Sequence, residues 1–133
     1  LQDVMDNEIV SVHVPATPAT AGMITAELIA AIPDGAIVIN SSRAAAVDSG
    51  ALLEAAVSGR LRVGLDVYDA EPPQLPDSLS QVPGLLLTPH IAGDTSDGHR
   101  ALTGYVLADV TDYLARGHRG PSWVDPAALS ILA

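Results

Sequence analysis

The sequence predicts an α/β fold in which a parallel sheet carries helices on its faces. Two observations support this prediction: short apolar runs that stop at proline or polar residues, and helical stretches between those runs. The predicted order is strand, helix, strand, helix, strand, loop, strand, helix. The chain has 133 residues, enough for about one domain and one core. Because only 3% of the residues are aromatic and none is Phe, we expect an aliphatic core.

The first two predicted strands flank a helix. Residues 8–15 form an apolar run that ends at a proline, and a loop rich in turn-forming residues follows. A helix is predicted from about Thr25 to Ala31, because its apolar residues have helical spacing and Thr25 is a suitable N-cap. The second strand is predicted at Ala36–Asn40.

The second half of the chain repeats the pattern. Asp48-Ser49-Gly50 is an N-cap signal for a helix over Ala51–Ser58. A third strand is predicted at Val63–Tyr68, followed by a proline-rich loop.

The last predicted strand is the apolar run that begins at Leu85 and stops at Thr88-Pro89, which we expect to be buried on both faces. A long amphipathic helix is predicted to begin near Thr95 and to reach about Leu114. In the tail, we expect Trp123 to be packed and a short helix to follow Pro126.

Composition excludes several classes of function. Sixteen acidic and six basic residues give a formal net charge of −10, so we expect neither a nucleic-acid nor a membrane partner. The absence of cysteine excludes disulfides and thiolate metal sites and favours a cytoplasmic location. No metal site is expected, because the histidines and carboxylates lack the spacing of familiar metal ligands.

Polar side chains collect at one edge of the predicted sheet. Right-handed crossovers bring the carboxyl ends of parallel strands to the same edge, where ligands bind in such folds. The polar residues at or just past these ends are His13, Ser41, Ser42, Arg43, Asp66, Glu71 and His90.

Three of these residues suit the reduction of a 2-oxo acid. The guanidinium of Arg43 can bind a carboxylate with two hydrogen bonds and polarise the neighbouring carbonyl. A Glu71 carboxylate beside His90 would orient the imidazole and stabilise its charged form. His90 could then donate a proton to the carbonyl oxygen while a cofactor delivers a hydride to carbon.

Structural alternatives remain open for each residue. Arg43 could form a surface ion pair, Glu71 could be a solvated loop acid, and His90 could merely cap a strand. His13 is best interpreted as a strand residue with a satisfied side chain. Asp66 is harder to dismiss, because an unpaired carboxylate in an apolar strand is costly.

Five motifs in series resemble the D-isomer-specific 2-hydroxyacid dehydrogenase family. They are found at residues 12–20, 38–43, 47–48, 65–72 and 88–93, with the order and spacing of that family. The resemblance implies the second half of a Rossmann-like doubly wound parallel sheet, followed by a long C-terminal helix. It implies that Arg43 binds the substrate carboxylate and that Glu71 and His90 form the acid/base pair. The implied contacts with NAD are Val14, Pro15, Ser41, Ser42, Arg43, Asp66, His90 and Gly93.

Two departures from the family pattern stand out. Arg43 is followed by Ala44-Ala45 where the family usually has Arg-Gly-Gly or Arg-Gly-Glu, so a backbone position that tolerates unusual dihedrals carries a side chain. The Gly-x-Gly-x-x-Gly turn of dinucleotide-binding folds is also missing, together with the acidic residue that binds the ribose. NAD and NADP are therefore not distinguished, and neither is the particular 2-oxo acid.

The second departure, the missing half of the dinucleotide-binding fold, predicts a fragment. We expect residues 1–117 to form the C-terminal part of an NAD(P)-binding domain, inactive alone, with an exposed edge strand. Residues 118–133 are expected to form a tail that is disordered or belongs to a substrate-binding lobe. The resemblance further implies a homodimer in the full-length protein. The alternative function is a non-catalytic NAD-sensing, corepressor-like or interaction domain of the same fold.

Overall fold

The computed structural model describes residues 1–131 and divides the chain into two compact units. The first unit is Leu1–His90, and the second begins at Ile91. The first contains the sheet and its helices, and the second contains the long helix. The predicted boundary at residue 117, between an NAD(P)-binding domain and a tail, is not tested by this division and stays a prediction.

A four-stranded parallel sheet forms the first unit, which confirms the predicted α/β class. The strands β1 (Ile9–Val12), β2 (Ile37–Asn40), β3 (Arg62–Leu65) and β4 (Leu85–Leu87) lie side by side in that order. All four carboxyl ends therefore lie at one edge of the sheet, as the sequence predicted. The outer strands β1 and β4 each have a single neighbour in this sheet.

The core lies on one face of the sheet. Val10, Val38, Val63 and Leu85 are paired across the four strands, and the three valines are at most 4% exposed. Because side chains alternate along a strand, the next row on this face holds Val12, Asn40, Leu65 and Leu87. The row thus brings a polar residue, Asn40, into the core at the end of β2.

Three helices belong to this unit: α1 (Gln2–Met5), α2 (Ala26–Ala30) and α3 (Ser49–Val57). Both predicted N-caps are confirmed, since Leu28 N–H donates to Thr25 Oγ1 and Ala51 N–H donates to Asp48 Oδ1. Buried apolar residues of α2 and α3 pack with the core row of the sheet. The helix α1, a single turn that places Met5 in the core, was not predicted from the sequence.

The prediction that β4 is buried on both faces is wrong. Leu86 is 65% exposed, and Ile9 and Ile39 on the same face of the sheet are 65% and 38% exposed. The reason is that α2 and α3 both pack against the opposite face, the one that carries Val38. A run of three leucines has no alternation, so it could not distinguish one buried face from two.

The second unit is built around α4 (Ser96–Arg116), which Thr95 caps and Gly117 ends with a left-handed backbone. No residue of this helix is buried, although its sequence is amphipathic. The Trp123 ring lies 5.3 Å from that of Tyr113, and the Arg119 guanidinium is 4.5 Å above it. The packing predicted for Trp123 is thus confirmed, and the predicted short helix is the 3-10 segment Pro126–Ile131.

Two further 3-10 segments, Ala44–Ala46 and Asp77–Gln81, lie in the connections after β2 and β3. In residues 1–131, no helix is both long enough and apolar enough to cross a membrane.

Candidate active site

The acid/base pair predicted from the sequence is in contact. His90 Nδ1 lies 2.8 Å from Glu71 Oε2 and 3.0 Å from Glu71 Oε1. The two side chains are 44% and 40% exposed, so the pair is accessible to a ligand. With Nδ1 engaged by the carboxylate, Nε2 is the ring nitrogen left to exchange a proton with a substrate.

The environment of Glu71 favours its ionised form. The hydrogen bond from His90 is the largest cause that lowers the pKa of Glu71 below its ordinary value of 4.5, and the Tyr68 N–H adds to it. That N–H donates to Glu71 Oε1 over 3.3 Å. Desolvation and the nearby charge of Asp66 act in the opposite direction. A charged Glu71 carboxylate can accept the hydrogen bond from His90 and so orient the ring.

The backbone around Thr88 holds His90 in an uncommon conformation. Thr88 N–H donates to the Leu65 carbonyl over 2.9 Å, which extends the pairing of β4 with β3 by one residue. The Thr88 carbonyl then accepts two hydrogen bonds, from Tyr68 Oη at 2.8 Å and from the His90 N–H at 3.1 Å. His90 follows with φ of 55°, in the left-handed region. Among residues 1–131 it is the one non-glycine residue with positive φ, so tertiary contacts impose this conformation.

Asp66 is buried directly after β3. Its residue is 4% exposed, its carboxylate accepts a hydrogen bond from Thr88 Oγ1 at 2.5 Å, and its N–H donates to the Asn40 carbonyl. The concern that a carboxylate here would be unpaired is therefore answered. The same carboxylate helps to raise the pKa of Tyr68, for which burial is the larger cause.

Arg43 lies on the turn that follows β2. The residue is exposed, and its Nη1 donates to the Ser42 carbonyl over 2.8 Å. Within the described part of the chain it forms no ion pair, so the alternative of a surface ion pair is not observed. The structure shows no hydrogen bond between Arg43 and either Glu71 or His90.

Asn40 holds the turn that carries Arg43. Its Nδ2 donates to the Arg43 carbonyl over 3.0 Å, and its Oδ1 accepts from both the N–H and the hydroxyl of Ser42, each at 3.1 Å. Asn40 is 2% exposed. From the sequence, Asn40 was predicted only to end a strand. An asparagine that ends a buried apolar run, with polar residues beyond it, was the signal that could have marked it.

The two alanines after Arg43 fit their positions. Ala44–Ala46 form a 3-10 turn, and neither Ala44 nor Ala45 has positive φ. Ala44 is buried, whereas Ala45 is exposed. The departure from the family's glycine therefore requires no left-handed backbone in this chain.

The remaining predicted cofactor contacts lie in different places. Val14 is half-buried against the core, and Pro15 is exposed at the carboxyl edge, where its carbonyl accepts the Thr20 hydroxyl. Gly93 belongs to the second unit, and its carbonyl accepts the N–H of Thr95.

His13, the strand residue at the same edge, has Nε2 2.7 Å from Ser11 Oγ, which agrees with its interpretation as a satisfied side chain. In residues 1–131, no group of three or more His, Cys, Asp or Glu is placed to hold a metal ion.

The edge fits one half of a nicotinamide dinucleotide. Its polar groups are the serine hydroxyls of the β2 turn, which donate and accept, and the carboxylate of Asp66, which only accepts. These groups have the chemistry to bind a carboxamide and a ribose. Glycine-rich phosphate-binding sequence is absent from the chain. The residues present therefore fit the nicotinamide end of such a cofactor and do not supply a pyrophosphate site.

A family model matches most of the first unit. The model for the NAD-binding domain of D-isomer specific 2-hydroxyacid dehydrogenases matches residues 2–92.

Two curated relatives show the same similarity. Hydroxypyruvate reductase of Thermotoga maritima is 37% identical over 98 residues, which are 71% of this chain and 32% of that protein. D-3-phosphoglycerate dehydrogenase 1 of Saccharomyces cerevisiae is 34% identical over 125 residues, covering 84% of this chain and 27% of that protein. The chain spans about a third or less of the length of these relatives.

Solved structures agree with these matches. A D-isomer specific 2-hydroxyacid dehydrogenase from Xanthobacter autotrophicus Py2, in complex with NADPH and MES, superposes with a TM-score of 0.76 at 34% identity, covering 93% of this chain and 50% of that one. An NADPH-dependent glyoxylate/hydroxypyruvate reductase from Sinorhizobium meliloti, in complex with NADP and malonate, gives a TM-score of 0.76 at 26% identity, covering 98% and 40%.

Proposed function

Because the chain belongs to the D-isomer specific 2-hydroxyacid dehydrogenase family, we propose that it forms the catalytic edge of an oxidoreductase acting on small 2-oxo and 2-hydroxy acids. The observation that carries the proposal is the two-oxygen contact between Glu71 and His90 at the carboxyl edge of the sheet. The fold alone would support many functions. An accessible carboxylate–imidazole pair reduces the number of functions that the fold could have.

We assign Arg43 as the substrate anchor. An exposed guanidinium without a carboxylate partner can bind a substrate carboxylate with two charge-assisted hydrogen bonds. Such binding fixes the position of the adjacent carbonyl carbon and draws electron density toward the guanidinium.

We assign His90 as the general acid in reduction and the general base in oxidation. Glu71 holds Nδ1 and fixes the ring orientation. Nε2 then donates a proton to the substrate carbonyl oxygen, which becomes the hydroxyl of the product. In the reverse direction the same nitrogen removes the hydroxyl proton.

The proposed cofactor is NAD, with NADP as the alternative. When bound, the nicotinamide would supply or accept the hydride. The residues proposed to contact it are Val14, Pro15, Ser41, Ser42, Arg43, Asp66, His90 and Gly93. The family supports binding of NAD(P), and a structure similar to this chain contains NADPH. We also propose a homodimer and a cytoplasmic location, which rest on the family resemblance and the cysteine-free sequence.

The test is reduction by the full-length protein in which this sequence occurs. NADH and NADPH oxidation would be followed with glyoxylate and hydroxypyruvate. We expect His90→Asn, which tolerates the left-handed backbone of this position, to lower turnover by about 100-fold or more, the usual contribution of a positioned acid. The matched control is His13→Asn, at a histidine on the same edge, which should leave the rate unchanged. A His90→Asn variant with the full rate would contradict the assignment of the acid.

A further inference from the structure

The buried side chain of Asn40 ties the end of β2 to the turn that carries Arg43. We propose that Asn40 is a positioning residue that sets the selectivity of the site for carboxylate substrates, acting through Arg43. This inference rests on the proposed function, in which Arg43 is the anchor.

Both polar atoms of the Asn40 amide form hydrogen bonds with one short turn. Its Nδ2 donates to the Arg43 carbonyl, and its Oδ1 accepts from the N–H and the hydroxyl of Ser42. Asn40 therefore binds backbone groups on either side of the Ser42–Arg43 peptide bond. The Ser42 carbonyl in turn accepts from the Arg43 guanidinium. These hydrogen bonds therefore connect the Asn40 amide, through Ser42, to the guanidinium of Arg43.

Asn40 is itself firmly placed. It is the last residue of β2, paired with Val12 on one side and Leu65 on the other, and its carbonyl accepts the N–H of Asp66. At 2% exposure, water cannot replace its hydrogen bonds easily. The exposed Arg43 backbone thus takes its orientation from a residue inside the core.

Selectivity for the carboxylate should report this role. An anchor that is displaced by a fraction of an ångström loses two-point binding of the substrate carboxylate, whereas the Glu71–His90 pair, which lies beyond the ends of β3 and β4, keeps its hydrogen bond. A fall in selectivity therefore separates a positioning role from a general loss of folded protein. The latter would slow all substrates equally.

The experiment compares glyoxylate with methyl glyoxylate, which has the same aldehyde carbonyl but no carboxylate charge. Reduction would be measured in the full-length protein, with kcat/KM obtained for both compounds. We expect Asn40→Ala to lower the acid-to-ester ratio by about tenfold, equivalent to about 1.4 kcal/mol, the size of a net hydrogen bond. Arg43→Gln sets the maximum effect, and Ser42→Ala, which removes one of the three contacts, should change the ratio least.

Asn40→Asp provides a second variant if the alanine variant does not fold. It keeps the acceptor for Ser42 and loses the donor for the Arg43 carbonyl, so we expect a lowered ratio here too. Amide exchange measured by NMR gives an independent readout: the Ser42 N–H should exchange faster in Asn40→Ala than in the wild type, while the sheet amide of Val63 stays protected.

An unchanged ratio in a folded variant, or equal losses on acid and ester, would overturn the inference. A wild-type protein that reduces neither compound would instead refute the proposed function. In that case the exchange rate of the Ser42 N–H still tests the role of Asn40. Slow exchange in Asn40→Ala would show that the Asn40 side chain does not hold the turn.

Discussion

The hydrogen bond between Thr88 and Asp66 should be a major local contribution to stability. The Thr88 hydroxyl donates to a carboxylate that is 4% exposed, at 2.5 Å. Hydrogen bonds to charged groups contribute about 1.5–3 kcal/mol, and loss of a donor to a buried charge falls at the upper end of that range. Valine has nearly the shape of threonine and leaves no large cavity. We therefore expect Thr88→Val to lower the free energy of unfolding by about 2–3 kcal/mol.

Urea denaturation at pH 7, followed by circular dichroism, would measure this loss. Thr88→Ser keeps the hydroxyl and should retain most of the stability. Repeating Thr88→Val in an Asp66→Asn background completes a double-mutant cycle, in which the cost of the valine should fall below about 1 kcal/mol because the charge is gone. A valine variant as stable as the wild type, or equal costs in both backgrounds, would refute the reasoning.

Three further predictions follow from the other contacts. The hydrogen bond from His90 lowers the pKa of Glu71 below 4.5, so its stabilising contribution is present above that pH and lost as pH falls through the lowered value. Urea titrations of wild type and Glu71→Gln should therefore converge on acidification, and a constant difference would contradict this. Arg60 donates to two carbonyls at the carboxyl end of α2, at 2.7 and 2.8 Å. Arg60→Met should reduce the free energy of unfolding by about 2 kcal/mol and Arg60→Lys by less. An Arg60→Met variant as stable as the wild type would contradict this. Burial first, and then the charge of Asp66, raise the pKa of Tyr68 above 10.0. Ultraviolet titration should place that phenol at lower pH in Asp66→Asn, and an unchanged titration would exclude a role for the charge.

The sequence predicted the order of strands and helices because each element had a local signal. Prolines and polar residues ended the strands, and the cap signals at Thr25 and at Asp48-Ser49-Gly50 marked the starts of two helices. The second of these begins at Ser49, two residues before the predicted Ala51. The face of the sheet that is covered was not predictable for β4. Which face a helix packs against is a property of tertiary structure, and three consecutive leucines carry no alternation to report it.

The pairing of Glu71 with His90 followed from topology. Parallel strands bring their carboxyl ends together, so residues 19 positions apart could be expected to meet. The supporting contacts could not be predicted in the same way. The side chains of Tyr68 and Asn40 donate to backbone carbonyls, which every residue has, so residue type alone does not show which carbonyl accepts.

The left-handed backbone at His90 restricts which substitutions that position tolerates. Most side chains pay about 1–2 kcal/mol in that region, and only glycine, with asparagine and aspartate to a lesser degree, enters it readily. In a library that randomises this position, a fall in activity could therefore come from loss of the imidazole or from a change in the backbone conformation. Asparagine is the replacement that removes the proton donor while leaving the loop's path intact, and screens for altered reactivity should take it as their baseline.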